Sequence, residues 1–319
     1  MYKKILIIGN GFDLDIGMKT RYRDFMESEI WKIAKEHDDV LSYGILNYLE
    51  EKNRLETWFD VENELLNYAL EISEGMYRSP HNEDRAGFEL FKNKLKEYLQ
   101  REQDTFKTRV GSTAVASMSH ILCNGYFTNI YSFNYTDLSK FLSRFNISLS
   151  IPITHMHGSL DKHDNIVLGI ETDKTINNDY KFLFKTNSRN YTSNNLNESM
   201  DEANEIVFWG HSINGMDFPY FKDFFMKQSQ LSEGTIRKRI TIFTYDGESE
   251  ENIRHNFRVE GINPRDLFSR NDLAIIETKL LDEGDEHEED KFNMFLSHLL
   301  KDSKDADERL IRRMEQDFL

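Results

Sequence analysis

Two histidines in the segment His155-Met156-His157-Gly158-Ser159 are the side chains best suited to move a proton. An imidazole titrates near neutral pH, so a histidine at the start of a loop can act as a general base. We assign this role to His157 and expect His155 to be a buried, hydrogen-bonded residue. If the segment is a strand, alternation places both rings on one face. Two histidines without a neighbouring carboxylate or thiolate are a weak zinc signal, so no metal site is predicted.

A glycine-rich turn, GNGFD, follows the first apolar run of the chain. A strand that runs into such a turn lets the backbone approach a pyrophosphate, whose negative charge is favoured at a helix N-terminus. The general dinucleotide fingerprint has a third glycine where this chain has Leu14. A tight turn between a strand and a helix therefore remains the alternative. The candidate ligand-binding residues of this segment are Gly9, Asn10, Gly11, Phe12, Asp13 and Gly17.

Asn134, Thr136 and Asp137 follow the apolar run 127–133, at a strand end where ligands collect in open α/β sheets. Together they offer donors and acceptors for sugar hydroxyls. Thr136 or Asp137 could instead cap the helix that begins at Leu138, and we favour capping for both. Asn134 is harder to explain structurally and is a candidate catalytic residue.

The segment WGHSINGMD repeats the pattern of strand, turn and helix. It is similar to the serine nucleophile elbow G-x-S-x-G, but Asn214 stands where the second glycine belongs, so a serine hydrolase is not predicted. Gly210, His211, Ser212 and Asp217 are instead candidates to hold ribose or phosphate. Helix capping by Ser212 or Asp217 is the structural alternative.

The elements that carry these motifs alternate between strand and helix. Residues 3–8 are a continuous aliphatic run ended by glycine, which is typical of a strand buried on both faces. Further runs of this kind are 127–133, 205–210, 240–246 and 273–279. Helix-like segments at 219–230 and 249–259 separate the last three runs. The alternation predicts an α/β fold that is Rossmann-like and doubly wound, with a mainly parallel sheet.

A long stretch between the first two strands has apolar residues at helical spacing, including Val61, Leu65 and Leu66. We predict a large helical insertion, residues 21–124, in a Rossmann-like core formed by residues 1–20 and 125–280. Residues 281–319, acidic at first, form a C-terminal helical segment.

Composition narrows the class of partner. The 319 residues include 40 Lys plus Arg against 56 Asp plus Glu, a net charge of −16, and no basic patch, which disfavours a nucleic-acid partner. Cys123 is the single cysteine, so the chain has neither a disulfide framework nor a four-thiolate zinc site. No run approaches the ~20 apolar residues of a membrane helix, and no signal peptide is recognisable. We expect no membrane association and a cytoplasmic location.

In order, the motifs resemble those of the AbiH family of bacteriophage abortive-infection proteins. The opening IIGNGFDLDIGMKTRYRDF is similar to the family signature, and SFNYT, HMHGS and FWGHSINGMDFPYF follow in the family's order. More remotely, the chain resembles the sirtuin-like NAD-binding superfamily, whose first glycines match Gly9, Gly11 and Gly17. Thr136 stands where sirtuins usually have aspartate. Sirtuin deacylases also carry a four-cysteine zinc module that this chain cannot build, so deacylation is not expected.

The resemblance implies NAD as a substrate or ligand and no prosthetic group. It assigns Asn134 to hold ribose and water and His157 to accept a proton. The turn from Gly9 to Asp13 would bind the pyrophosphate, and Gly210 with Ser212 would lie on the adenosine side. The expected ligand is thus NAD or an ADP-ribose-type molecule, and the candidate protein partners are a second copy of the chain or another defence protein.

The function that the resemblance implies is antiphage abortive infection by a sirtuin-like NAD glycohydrolase, which cleaves the nicotinamide–ribose bond and depletes NAD. One alternative is a catalytically inactive module that senses NAD or a nucleotide derivative. A second alternative is a metal-dependent nuclease or phosphodiesterase, which would use His155, His157, His211, Asp137 and Asp217.

Overall fold

The computed structural model describes twelve stretches of the chain, residues 3–37, 40–55, 60–76, 78–109, 111–116, 126–144, 149, 151–161, 165–189, 191, 195–230 and 236–298. Its six strands are β1 (Lys4–Ile8), β2 (Asn129–Ser132), β3 (Ile153–His155), β4 (Glu205–Trp209), β5 (Arg239–Thr244) and β6 (Asp272–Glu277). Five of them match the five predicted strands to within two residues at each end. The sixth, β3, contains the first histidine of the two-histidine segment.

The six strands form one sheet in the order β3-β2-β1-β4-β5-β6, and every neighbouring pair is parallel. All residues of β1 and β4 are buried, because both faces of the sheet are covered. The predicted doubly wound α/β fold is therefore confirmed. The strand order reverses between β1 and β4, and in Rossmann folds dinucleotides bind at the carboxyl ends of the strands beside this switch point.

Helices account for most of the remaining described chain. A short helix, Asn10–Asp15, follows β1. The helices in the predicted insertion are Tyr22–Met26, Glu29–His37, Gly44–Leu55, Val61–Ser73 and His81–Thr105, with a helical turn at 113–116. Later α-helices are Leu138–Ser143, Leu196–Glu202, Lys222–Ser229, Gly247–Val259, Pro264–Arg270, Thr278–Glu283 and 286–298. The 3-10 helices within the described stretches are Val40–Ser42, Asn178–Leu183, Lys185–Asn187 and Phe218–Tyr220.

The apolar core follows from the two-residue alternation of the strands. Ile5 and Ile7 of β1 pack into a cluster on one face, while Leu6 and Ile8 pack into a cluster on the other. A third cluster joins the insertion helices to apolar residues between 160 and 183. The insertion thus packs on a segment that follows β3, and its boundaries remain a prediction.

The segment after β3 and the C-terminal region differ in part from the sequence-based expectations. β3 ends at His155, so strand alternation does not extend to His157 and the two rings lie in different surroundings. The predicted C-terminal helical segment is represented by the helix 286–298, whereas residues 299–319 lie outside the described residues. Among the described helices, none has both the length and the apolar character needed to cross a membrane.

Candidate functional site

The glycine turns after β1 and β4 pack directly against each other at the switch point. The amide of Gly11 donates to the carbonyl of Gly210 over 2.8 Å. A Cβ at Gly9 would lie 2.6 Å from Cα of His211, and a Cβ at Gly11 would lie 2.7 Å from Cα of Gly210. Gly210 itself has a φ of +62°, a conformation that favours glycine. These glycines therefore allow two backbones to approach more closely than any side chain would permit.

Groups of this turn that were predicted to bind a phosphate form hydrogen bonds within the protein instead. Besides the amide of Gly11, that of Phe12 donates to the carbonyl of Gly9 over 3.0 Å. The side-chain oxygen of Asn10 accepts from the hydroxyl of Thr20 over 2.6 Å. Sequence reasoning explained the glycines by a ligand, whereas contact between the two turns is sufficient to require them. Binding of a pyrophosphate at this turn remains a prediction.

Gly17, the third glycine of the opening motif, also has a structural role. Its φ is +101°, and a Cβ there would lie 2.9 Å from the carbonyl oxygen of Lys107. Gly17 thus allows the chain that follows the helix Asn10–Asp15 to pass close to the backbone of Lys107.

Asp13, Asn134 and Thr136 form a buried hydrogen-bonded cluster, here called the Asp13 cluster. The side-chain amide nitrogen of Asn134 donates to the carboxylate of Asp13 and to the carbonyl of Gly9, each over 3.0 Å. The hydroxyl of Thr136 donates to the second carboxyl oxygen of Asp13 over 2.7 Å. Burial raises the pKa of Asp13 to about 7, although both hydrogen-bond donors act in the opposite direction. The cluster thus ties the turn after β1 to the end of β2.

One acceptor of the Asp13 cluster has no partner. The oxygen Oδ1 of Asn134 is buried and receives no hydrogen bond from the described residues. A cavity of about 10 Å³, room for roughly one water molecule, lies between Asp13, Asn134 and Thr136. A water or a ligand hydroxyl is the kind of donor that this oxygen would accept.

A second polar group, here called the Asp217 cluster, contains Glu62, His157, Lys185, His211 and Asp217. Nε2 of His157 lies 2.9 Å from Oδ1 of Asp217, and Nε2 of His211 lies 3.6 Å from Oδ2. The ammonium of Lys185 lies 2.8 Å from Glu62, 3.6 Å from Asp217 and 3.5 Å from Nε2 of His157. Two carboxylates, one ammonium and two imidazoles therefore meet in one largely buried volume.

The charges of the Asp217 cluster stabilise one another. Burial alone would raise the pKa of Asp217, but Lys185 and His157 together hold it far below its usual range. Burial alone would lower the pKa of Lys185, which is fully buried, but the carboxylates of Glu62 and Asp217 raise it above its usual value. Asp217 and Lys185 are thus both charged at neutral pH, whereas burial raises the pKa of Glu62 although Lys185 and His157 act in the opposite direction.

Hydrogen bonds determine which ring nitrogens carry protons. A carboxylate only accepts, so Nε2 of His157 donates to Asp217 and Nδ1 is left as the basic nitrogen. That Nδ1 is buried and has no partner among the described residues. In His211, Nδ1 accepts from the amide of Ile213 over 2.9 Å, so Nε2 carries the proton. Burial lowers the pKa of His211 to about 4, which keeps this ring neutral near pH 7.

Aromatic side chains surround the two imidazoles. The Phe133 ring lies 5.2 Å from His157 and 4.4 Å from His211, in edge contact with both. Tyr220 lies 5.9 Å from His157. Apolar rings limit the access of water and strengthen the electrostatic interactions between the polar groups. Asn134 contacts Asp13 and His157 contacts Asp217, so the two predicted catalytic residues lie in separate clusters.

The structure gives several predicted residues a definite role. Asp137 caps the helix Leu138–Ser143 by accepting from the amide of Ser139 over 2.8 Å, as expected. Capping by Thr136 was wrong, because its hydroxyl is directed to Asp13. His155 is half-buried and its Nδ1 lies 3.2 Å from the carbonyl of Asn134, which fits its expected structural role.

The capping alternatives after β4 are not what the structure shows. Asp217 precedes the 3-10 helix Phe218–Tyr220 without a side-chain capping bond, because its carboxylate faces the two histidines. Ser212 is exposed at the turn, so its predicted contact with the adenosine side of a ligand stays a prediction.

Sequence reasoning missed Glu62 and Lys185. Glu62 lies in the first turn of the helix Val61–Ser73, where an acidic residue is ordinary, and Lys185 begins the 3-10 helix Lys185–Asn187. Neither position carries a local signal, because each residue is functional only through contact with partners far away in sequence.

The ligand set of the metal-dependent alternative is not assembled. His155 and Asp137 make the structural contacts described above, away from Asp217. Within the described stretches, no three or more His, Cys, Asp or Glu side chains are grouped so that they could hold a metal ion. At the centre of the Asp217 cluster, the ammonium of Lys185 already neutralises the carboxylates.

A six-stranded parallel sheet with polar clusters at its carboxyl edge defines an α/β protein of the Rossmann-like type. The model of the AbiH family, bacteriophage abortive infection, matches residues 5–236, and the chain belongs to this family. The match includes both glycine turns and every residue of the Asp13 and Asp217 clusters. Family membership supports an antiphage abortive-infection role. No curated protein matches the chain significantly.

Proposed function

We propose that this AbiH protein hydrolyses the nicotinamide–ribose bond of NAD, as the sirtuin-like resemblance of its motifs implies, and thereby depletes NAD during infection. The observation that carries the proposal is the hydrogen bond between His157 and Asp217, with Nδ1 of His157 unpartnered. A carboxylate that fixes one ring nitrogen as a donor leaves the other as a base and stabilises the imidazolium that forms.

The reaction needs one base and no acid. The oxygen of the attacking water bonds to the ribose carbon, and the carbon–nitrogen bond breaks with its electron pair going to the nicotinamide nitrogen. Nicotinamide leaves as a neutral molecule, and the proton of the water passes to Nδ1 of His157. Because the ribose develops positive charge in the transition state, the negative charges of Glu62 and Asp217, opposed by the single ammonium of Lys185, favour it.

Two features of the fold support a dinucleotide as the ligand. The reversal of strand order between β1 and β4 is the position at which Rossmann folds bind dinucleotides. The Asp13 cluster lies at the same carboxyl edge, where Asn134 is the proposed positioning residue. Its amide holds the turn after β1, and its unpartnered Oδ1 is available to accept a hydrogen bond from a ribose hydroxyl or water.

One observation favours the second candidate, a binding module that senses NAD without turnover. Both hydrogens of the Asn134 amide are already engaged by Gly9 and Asp13, so only its oxygen remains for a ligand. A site that binds through this oxygen but does not deliver water to His157 would recognise NAD without cleaving it.

Replacement of His157 by alanine distinguishes the two candidates. If His157 is the base, the His157→Ala variant loses NAD turnover by about 10²- to 10⁴-fold, the usual contribution of general base catalysis, while it still binds NAD. His155→Ala, which removes a histidine outside the cluster, is the matched control and keeps its turnover when folded. Wild-type protein that binds NAD in a calorimetric titration but releases no nicotinamide is the result that favours the sensor.

A further inference from the structure

An open cleft of about 510 Å³ lies beside the Asp217 cluster. Pockets that bind small molecules usually have volumes of roughly 300–1,000 Å³, so this cleft has the size needed for one part of a dinucleotide. The lining residues that matter here are Glu171, Tyr191, Asn195, Asn197, Glu198 and Tyr220.

The cleft shares a lining residue with the surroundings of the proposed base. Tyr220 lines it, and the same ring lies 5.9 Å from that of His157. Glu171, on the other side, interacts electrostatically with both Lys185 and His157. A group bound between Tyr220 and Glu171 would therefore lie next to the Asp217 cluster.

The chemistry of the lining favours a cation. It contains two carboxylates, and among the described lining residues there is no lysine or arginine to neutralise them. The oxygen Oε1 of Glu171 is buried and has no hydrogen-bond partner in the described chain. Burial also raises the pKa of Glu171, although Lys185, His157 and the backbone amide of Thr186 act in the opposite direction. A positively charged or hydrogen-bond-donating ligand group would satisfy this carboxylate, whereas a phosphate would be repelled.

Two tyrosine rings add a preference for a flat ligand. Aromatic faces attract cations that lie within about 6 Å of the ring centre, and the amides of Asn195 and Asn197 offer donors and acceptors to a planar polar group. We propose that the cleft binds a planar aromatic cation, the pyridinium end of NAD, between Tyr220 and Glu171. This inference rests on the proposed function. It places the nicotinamide leaving group next to His157, and it places the pyrophosphate outside the cleft.

Two small probes test the charge preference without any reaction. 1-Methylnicotinamide carries the pyridinium charge, nicotinamide is nearly the same shape and neutral, and neither has a ribose that could be cleaved. We expect the full-length protein to bind the cation about tenfold more tightly than the neutral molecule, within the range of cation–π and charge contributions. Titration calorimetry or ligand-observed NMR measures both affinities.

Variants identify the carboxylate responsible. Glu171→Gln keeps the shape of the side chain and should reduce the preference for the cation to about twofold or less. Glu83→Gln, at an exposed position on the helix His81–Thr105, is the matched control and should leave the preference unchanged. Tyr220→Leu, as a second variant, should weaken binding of the cation more than binding of the neutral probe. Thermal unfolding verifies that each variant is folded.

The outcomes separate this inference from the hydrolase proposal. Equal affinity for the two probes, or a preference that Glu171→Gln leaves intact, overturns the cleft assignment even if the protein cleaves NAD. A tenfold preference abolished by Glu171→Gln supports the cleft even if NAD is never cleaved, in which case only the hydrolase proposal fails.

Discussion

Asp217 is the side chain on which the chemistry of the site depends. Its two oxygens face His157 and His211, and Lys185 approaches the first oxygen. The carboxylate thereby fixes the tautomer of His157 and offsets part of the charge of a fully buried ammonium. A single residue thus couples the orientation of the proposed base to the electrostatic balance of the whole cluster.

The pH dependence of stability offers a test of the Asp13 cluster. The pKa of Asp13 is raised from the usual 3.8 to about 7 in the folded protein, so the folded state binds the proton more tightly. The stabilising effect of protonation is fully present below pH 4 and is lost as pH rises to about 7. Between pH 5 and 7 the contribution of this one residue falls by about 2 kcal/mol.

The Asp13→Asn variant should remove that dependence, because an amide resembles the protonated carboxyl and does not titrate. We expect the free energy of unfolding of the wild type to decrease from pH 5 to pH 8 by more than that of the variant. Denaturant unfolding at both pH values measures the difference. If the free energy of unfolding changed equally with pH in the two proteins, burial would not raise the pKa of Asp13.

At the scale of elements, the two glycine turns determine how β1 and β4 lie at the switch point. A Cβ at Gly11 would meet backbone atoms, which cannot rotate away as a side chain could. We therefore expect Gly11→Ala to lower the free energy of unfolding by about 1–3 kcal/mol, the usual cost of overpacking. Gly215→Ala is the control, since a Cβ there has no atom within 4 Å and should change stability by less than about 0.5 kcal/mol.

If Gly11 served only to bind a pyrophosphate, a larger residue at this position would block the ligand without affecting the fold. Equal stability of the Gly11 and Gly215 variants in denaturant unfolding would contradict the packing explanation and return the glycine to a role in binding.

The ion pair between Glu62 and Lys185 links a helix of the insertion to the site. Removing one partner of a buried pair leaves an uncompensated charge, so Glu62→Gln should destabilise the protein by about 3–5 kcal/mol. Replacing both partners by apolar residues, in Glu62→Leu with Lys185→Met, should recover much of the loss. Glu29→Gln, which breaks the exposed pair between Glu29 and Lys32, should cost less than about 1 kcal/mol.

If Glu62→Gln costs no more than Glu29→Gln in chemical denaturation, Lys185 is not held as the contacts indicate. In that case the insertion contributes packing to the site but no charge.

The molecule as a whole shows what sequence can predict. Continuous apolar runs such as 3–8 and 205–210 identify buried parallel strands, because covering both faces of a sheet leaves no place for polar residues. The motifs that follow these runs single out His157, Asn134 and Asp217 as candidate site residues. All of this follows from patterns that are local along the chain.

The parts of the site that sequence could not predict depend on contacts between distant residues. The sequence does not show that the side chain of Asn134 contacts Asp13, whereas the ring of the preceding residue, Phe133, contacts His157 and His211. Glu62 and Lys185 meet across 123 residues, and neither carries a local signal. The close contact of two glycine turns is likewise invisible until β1 and β4 are known to be neighbours.

The most direct test of the account is NAD cleavage by purified full-length protein and by its Asp217→Asn variant, with released nicotinamide and ADP-ribose quantified together. The account predicts equal amounts of the two products from the wild type. It also predicts a loss of about 10³- to 10⁴-fold in the variant, because an amide in place of the carboxylate favours the wrong tautomer of His157. Release of products at the same rate by a folded Asp217→Asn variant, or no release by the wild type under conditions in which it binds NAD, would contradict it.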